Sequence, residues 1–411
     1  MTSHNQIYRS LLNFILVGLA LTYACSAQTK LENRTRALEN PWSVRMADSF
    51  MKRYPNTISY PGESKRGHWT YEQGVMLEAI RRMWVATGDE KYFSYVKRNI
   101  DEFVGNDGSI RTYEYSAFNL DNIPPGRQLL MLYQNTHDEK YRKASDELRR
   151  QLANQPRTHE GGFWHKKIYP YQMWLDGIYM AEPFYAEYAL MFKQPSAFDD
   201  VADQTIFLEN HTRDPQTGLL YHGWDESKER KWANPVTGCS PSFWGRGMGW
   251  YAMGIVDVLD FLPQDNPKRA RIIEIFQRLC KALAKFQDSS TGLWYQVVDQ
   301  GNRKGNYVEA SASCMFAYVF AKGTKKGYLE HKFLVRAEKA FKGVVRHLVT
   351  IDEDGSVSLH QTCQSAGLGG TPYRDGSYEY YISEPQRTND FKGIGPFIFA
   401  ALELEHVNQK G

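Results

Sequence analysis

Two aspartates stand where a carboxyl group is hard to explain as ordinary surface solvation. Asp176 lies in Trp174-Leu175-Asp176-Gly177-Ile178-Tyr179-Met180-Ala181-Glu182-Pro183-Phe184, at the head of an apolar run that continues through Tyr185, Tyr188, Ala189 and Phe192. A lone acid at the mouth of an apolar helix is expensive to bury unless it has a partner or a task. Asp121 lies in Phe118-Asn119-Leu120-Asp121-Asn122-Ile123-Pro124-Pro125-Gly126-Arg127, just ahead of a proline that suits a first helical turn. Two carboxyl groups at one mouth need not ionise together. Mutual repulsion and burial raise one pKa, which leaves an acid that still holds its proton near neutrality. Such a pair suits general acid–base catalysis.

Other residue types gather in the same long connections. Arg246, Lys166 and either His222 or His165 would supply positive charge for an anionic substrate. Trp69, Trp174 and Trp244 would offer flat faces to a sugar ring, and Tyr71 follows Trp69 closely in His68-Trp69-Thr70-Tyr71. Each is weak alone: a loop Asp is more often a helix cap, and a His in an apolar setting is usually a hydrogen-bonded structural residue. The Gly-x-Gly within Gly245–Gly249 is no dinucleotide fingerprint, because no strand precedes it and Trp and Arg are interleaved. No His pair has zinc-type spacing and no Asp-rich calcium loop is present, so neither a metal nor a cofactor is expected.

The elements that must position these residues repeat. Thr87-Gly88-Asp89-Glu90-Lys91-Tyr92 recurs as Thr136-His137-Asp138-Glu139-Lys140-Tyr141, each copy ending one helix and capping the next through its Asp. Short glycine turns followed by strand-like tails recur at Asn106-Asp107-Gly108, Glu160-Gly161-Gly162, Thr217-Gly218, Thr291-Gly292 and Asp354-Gly355. Charge-rich helices are predicted near Pro41–Tyr54, Asp89–Val104, Asp138–Asn154, Ser196–His211, Pro267–Phe286 and Tyr328–Leu348. Apolar helices alternate with them near Tyr71–Ala86, Pro125–Gln134, Leu175–Phe192, Gly245–Phe261, Glu309–Lys322 and Asp390–Leu404, with Pro183 expected to kink or restart its helix. Polar helices belong outside and apolar ones inside. Six of each close into an all-α (α/α)6 barrel with short hairpin-like connections, and the long connections then meet at one end. No Pro/Ser-rich linker interrupts residues 41–411, which read as a single domain.

Composition agrees with a globular protein: 42% apolar and 24% charged residues over 411, with a formal charge of +3 and no basic block, which argues against nucleic acid as a partner. Residues 1–27 read as an export signal: Arg9 precedes an apolar run from Leu11 to Ala24 that is too short to span a bilayer, with cleavage after Ala27 and a lead-in over 28–40. An exported, periplasmic protein is expected, with a lipid anchor at Cys25 as the alternative. The spacing of the later cysteines demands no disulfide. Oligomeric state has no signature.

The chain resembles the unsaturated glucuronyl and rhamnogalacturonyl hydrolases, glycoside hydrolase families 88 and 105, and is more similar to the second. The resemblance rests on Leu120-Asp121 with the following Pro-Gly-Arg, on Trp174–Met180, and on Phe243-Trp244-Gly245-Arg246-Gly247-Met248-Gly249-Trp250. It extends to Glu309-Ala310-Ser311-Ala312-Ser313, Gly376-Ser377-Tyr378-Glu379-Tyr380-Tyr381 and Asn389–Gly395. It implies a six-hairpin α/α barrel that removes a 4-deoxy-4,5-unsaturated uronic acid from the non-reducing end of a lyase-generated oligosaccharide, by hydrating the double bond. By match, Asp176 is the general acid–base and Asp121 sits close by, keeping Asp176 protonated and orienting the ring. His222, Trp174, Trp244, Arg246, His165 and Lys166 would surround the unsaturated sugar and its carboxylate. Unsaturated galacturonyl-rhamnose is the default substrate and a glucuronate-derived product the alternative. A conventional inverting glycosidase on the same barrel would instead place its carboxyl groups roughly 6.5–9.5 Å apart. A non-catalytic sugar-binding protein would not need both acids.

Overall fold

The computed structural model describes residues 40–64 and 66–405. The export signal over 1–27, Cys25 and nearly all of the lead-in lie outside the described residues. Six helical hairpins follow one another: α1 (Trp42–Arg53) with α2 (Tyr71–Thr87), α3 (Glu90–Asp101) with α4 (Gly126–Thr136), and α5 (Glu139–Asn154) with α6 (Asp176–Met191). Then come α7 (Ala197–Thr212) with α8 (Gly245–Val258) and α9 (Arg269–Lys285) with α10 (Ala310–Lys325). Last, α11 (Lys332–Leu348) leads through the short α12 (Tyr378–Ser383) to α13 (Phe391–Leu404). Three antiparallel strand pairs lie in the connections: β1 (Gln172–Trp174) with β2 (Gly223–Asp225), β3 (Val349–Ile351) with β4 (Val357–Leu359), and β5 (Thr362–Cys363) with β6 (Gln386–Arg387).

In each hairpin the second helix is buried more fully than the first, which sorts them into two rings. α3 buries one stripe, Tyr92, Tyr95, Val96, Asn99 and Ile100, whereas every residue of α8 is buried. Each inner helix packs on the next, α2 on α4, α4 on α6, α6 on α8, α8 on α10 and α10 on α13, and α13 returns to α2. The ring is therefore closed, and the fold is an (α/α)6 barrel. Asp89 and Asp138 cap α3 and α5, accepting from the backbone N–H of Lys91 and Lys140. Gly108, Gly161, Gly218, Gly292 and Gly355, the five turn glycines read from the repeats, all have positive φ. The sixth outer helix forms later than expected, from Lys332 rather than Tyr328.

Pro183 neither ends nor restarts α6, which runs unbroken from Asp176 to Met191. Packing between α4 and α8 holds the helix through a residue that would interrupt an isolated one. Among the described residues, Cys239, Cys280, Cys314 and Cys363 are buried free thiols, and no helix is long and apolar enough to cross a membrane.

The barrel axis is not purely apolar. Asp257 of α8 accepts from Arg82 of α2 (2.5 Å), Lys322 and Tyr318 of α10 (2.7 and 2.5 Å) and Arg127 of α4 (3.2 Å). Glu78 pairs with Arg82 (2.9 Å) and Arg127 (3.2 Å), and Glu187 of α6 with Arg81 (2.5 Å) and Arg127 (3.1 Å). Phe399 of α13 lies 4.3 Å beneath the Arg82 guanidinium. One polar cluster thus touches all six inner helices.

Candidate active site

Asp176 is the first residue of α6, and a backbone ladder sets its surroundings. Trp174 of β1 pairs with Gly223 of β2, and the Leu175 N–H donates to the His222 carbonyl at 3.0 Å. The ladder needs glycine at 223: a Cβ there would lie 2.6 Å from Leu368 and 3.1 Å from the Trp174 ring. The result brings His222 Nε2 to 3.1 Å from Asp176 Oδ2. His222 is fully buried, and its Nδ1 lies 2.7 Å from the Tyr381 hydroxyl. Burial pushes the Tyr381 phenol far above its ordinary pKa, so it stays neutral. Its ring stacks on Trp244, 5.8 Å between centroids and 17° between planes. Gln296 ties the two together, accepting from Trp244 Nε1 (3.3 Å) and donating to the Tyr381 carbonyl (3.1 Å).

The Asp176–His222–Tyr381 chain has two proton placements. A protonated Asp176 donates to Nε2 while Nδ1–H donates to the phenol oxygen. An ionised Asp176 accepts from Nε2–H while the phenol donates to Nδ1. The chain can therefore store a proton on Asp176 or accommodate its loss without leaving a buried group unpaired. Tyr381→Phe breaks this. An unsatisfied buried nitrogen costs about 1–3 kcal/mol, so kcat/KM is expected to fall roughly 5- to 150-fold, with the pH profile moved. Steady-state kinetics across pH checks it.

Asp121 sits on a 3-10 turn, Leu120–Asn122, that is fastened on several sides. The Asn119 side chain accepts from Asp121 N–H at 3.0 Å, and Leu120 N–H donates to the His165 carbonyl at 3.1 Å. Trp69 Nε1 donates to the Asn122 carbonyl (2.8 Å), and Asn122 Nδ2 donates back to the Trp69 carbonyl (2.6 Å). The Asp121 carboxylate meets Lys166 Nζ at 2.5 Å and His165 Nε2 at 3.2 Å. Burial alone would raise its pKa, but Lys166 and then His165 hold it well below the usual carboxylate range.

The turn that carries Asp121 packs against the helix that Asp176 heads. The His165 ring stacks on Trp174, 4.7 Å and 14°. Leu120 Cδ1 and His165 Nδ1 lie 3.4 and 3.5 Å from where a Cβ on Gly177 would stand, against the first turn of α6. Asp176 itself is 9% exposed.

Several expected roles change in this setting. Repulsion from Asp121 is offset by Lys166, and the neighbour that Asp176 bonds is His222. Trp69 is wholly enclosed and offers no free face; it anchors the turn that carries Asp121. Trp174 is flanked by His165 and by Tyr169 (4.8 Å, 19°), with its Nε1 donated to Gln172 at 3.2 Å. Trp244 is equally buried against Tyr381 and His222. Arg246, at the head of α8, is spent mostly on Glu309 (3.2 Å), Ser311 (2.8 Å) and the Cys363 carbonyl. Its Nη1 alone has no partner among the described residues, so it is a positioned donor rather than a free charge. Tyr71 is partly buried, edge-on to Trp250 (6.3 Å, 88°), and feels both Asp121 and Arg246.

Sequence reasoning attached no role to Tyr381, Glu309, Tyr169 or Arg374. The first two lie in stretches that carried the family resemblance, which was the available signal. Arg374 donates to the Tyr169 hydroxyl at 2.9 Å, a pairing across 205 residues of sequence that no local pattern announces.

Comparisons with known proteins bear on the family and the fold. The model of Glycosyl Hydrolase Family 88 matches residues 42–408. A solved structure of a family 105 glycoside hydrolase from C. acetobutylicum ATCC 824 is 43% identical, with a TM-score of 0.85 over 90% of this chain and 100% of that one. Protein Atu3128 of Agrobacterium fabrum is 38% identical over 230 residues, 54% of this chain and 97% of its own. The unsaturated rhamnogalacturonyl hydrolase YesR of Bacillus subtilis is 27% identical over 296 residues, 71% of this chain and 78% of its own.

Proposed function

The chain belongs to glycosyl hydrolase family 88, and from that premise we propose that it removes a 4-deoxy-4,5-unsaturated uronic acid from the non-reducing end of lyase-generated oligosaccharides, with unsaturated galacturonyl-rhamnose as the default substrate. The observation that carries this reading is that two acids on elements packed together are held in unlike ways. Asp176 shares a proton-storing chain with His222 and Tyr381, while Asp121 is held as an anion by Lys166 and His165.

Asp176 gives its proton to C4 of the enol ether, and positive charge develops at C5, shared with the ring oxygen. In this reading the Asp121 carboxylate stabilises that charge or holds a substrate hydroxyl. Water adds at C5 and its proton returns to Asp176. The resulting hemiketal opens, the C5 oxygen becomes a ketone, and the aglycone leaves from C1 with a proton. Net, one water is consumed. The alkene is already activated by its ring oxygen, so no nucleophilic side chain is needed; ordinary glycosidases instead place two carboxylates across the glycosidic bond.

Lys166→Met tests the role of the anion. Without the cation the Asp121 pKa rises, so the acid limb of kcat/KM is expected to move to higher pH. An unmoved limb would show that ionised Asp121 is not required.

The decisive assay follows the ultraviolet absorbance of unsaturated disaccharides from a panel of polysaccharide lyases. A fall on adding protein supports the reading, and the best substrate in the panel names the uronate and its neighbour. No fall, together with release of saturated sugars, would replace it with conventional inverting hydrolysis. Export by the N-terminal segment belongs to the same proposal, on the apolar run from Leu11 to Ala24 behind Arg9; mass spectrometry of the mature N-terminus checks cleavage after Ala27 against lipidation at Cys25.

A further inference from the structure

Behind the mouth, between the first turns of α6 and the middle of α7, lies a narrow cavity lined by His165, Trp174, Gly177, Glu182, Gln204 and Leu208 among others. Its volume is about 10 Å³, close to the roughly 10–15 Å³ that one water needs on this measure. Two of its polar atoms, His165 Nδ1 and Glu182 Oε2, are buried without a partner among the described residues. The third polar lining residue is satisfied: Gln204 accepts from Phe163 N–H (2.7 Å) and donates to Asp200 (3.0 Å) and the Gly161 carbonyl (3.1 Å). Buried polar atoms are rarely left unpaired, and those that are mark ordered water or function.

We propose that one water in this cavity joins Glu182 to His165 Nδ1, and that Glu182 is a positioning residue fixing which ring nitrogen of His165 carries the proton. The proposal rests on the reading of Asp121 as a required anion. Glu182 is 1% exposed, and burial and then Asp200 push its pKa well up, so it carries a proton. The nearby cation, Arg157, is already held by Asp200 at 2.8 and 2.7 Å, and Tyr185 also bonds Asp200 (3.2 Å). A protonated Glu182 donates to the water, and the water donates to Nδ1. That leaves Nε2 as the protonated nitrogen, the one 3.2 Å from Asp121. The alternative tautomer would turn a lone pair toward a carboxylate.

The test uses the full chain with 15N-labelled histidine. In the wild type, NMR should show His165 protonated at Nε2 and bare at Nδ1. Glu182→Leu should leave Asp121 alone to favour Nε2–H, so that a share of the other tautomer appears, and lower kcat roughly tenfold, about one lost hydrogen bond, with KM little changed. Glu182→Gln, which can still donate to the water, should restore both. A wild-type tautomer and kcat in Glu182→Leu would overturn the proposal, as would a folded Glu182→Gln that behaves like Leu. Should Glu182→Leu not fold, a high-resolution crystal structure of the wild type decides: a water within hydrogen-bonding distance of both atoms supports the link, and a site without one refutes it. If the wild type processes no unsaturated uronide, the functional reading fails, while the tautomer and water readouts still judge Glu182.

Discussion

Asp176→Asn is expected to lower kcat on an unsaturated uronyl disaccharide roughly 10²–10⁴-fold, the range for losing a general acid, while KM and the thermal midpoint stay near wild type. The amide is nearly isosteric and can still donate to His222 Nε2, so the Asp176–His222–Tyr381 chain keeps its packing. What it cannot do is deliver a proton to carbon and take one back from water. Stopped or steady-state ultraviolet kinetics, paired with calorimetric binding of the same disaccharide, separates the two functions. Binding without turnover supports the acid role. Turnover near the wild-type rate would mean that another group protonates C4, and a non-catalytic sugar-binding role would gain if neither protein turned substrate over.

The second large effect is on stability. Asp257→Ala is expected to cost about 3–5 kcal/mol, because it removes one partner of a buried pair and leaves the others uncompensated. Arg82, Lys322 and Arg127 all converge on that carboxylate. Glu78 and Glu187 are shared among the arginines and Asp260 with Lys322 (2.6 Å), so none can take its place. Burial alone would raise the Asp257 pKa, but Arg82, then Lys322 and Arg127, hold it far below the usual carboxylate range. The folded value lies below the unfolded one, so this ionisation stabilises the protein above the unfolded pKa of about 4. The contribution fades as pH falls below that point. The gap between wild type and Asp257→Asn in urea midpoint should therefore be full near neutrality and shrink in acid. A gap independent of pH would assign the loss to packing instead of charge.

The barrel was legible because its repeat is local. Alternation of amphipathic and uniformly apolar helices, the Asp caps at 89 and 138 and the turn glycines are all properties of short windows, and the backbone obeys them wherever the chain lies. The same holds for the position of Asp176: an acid heading an apolar helix declares itself by contrast with its neighbours. Pro183 shows the limit of local rules, since neighbours on both sides carry α6 through a residue that would break it alone.

Residue order alone, then, determined the six-hairpin ring and the place of Asp176 at the head of an inner helix. Tertiary structure decided what each charge is for. Arg246 was expected to await an anion and is held by Glu309; Trp69 was expected to face a sugar and instead pins Asn122. Asp121 was expected to repel Asp176 and is neutralised by Lys166, and the Asp257 cluster went unread. The reason is physical. A side chain's exposure and protonation depend on the partner that meets it, and these partners, from different hairpins, meet only once the ring has closed.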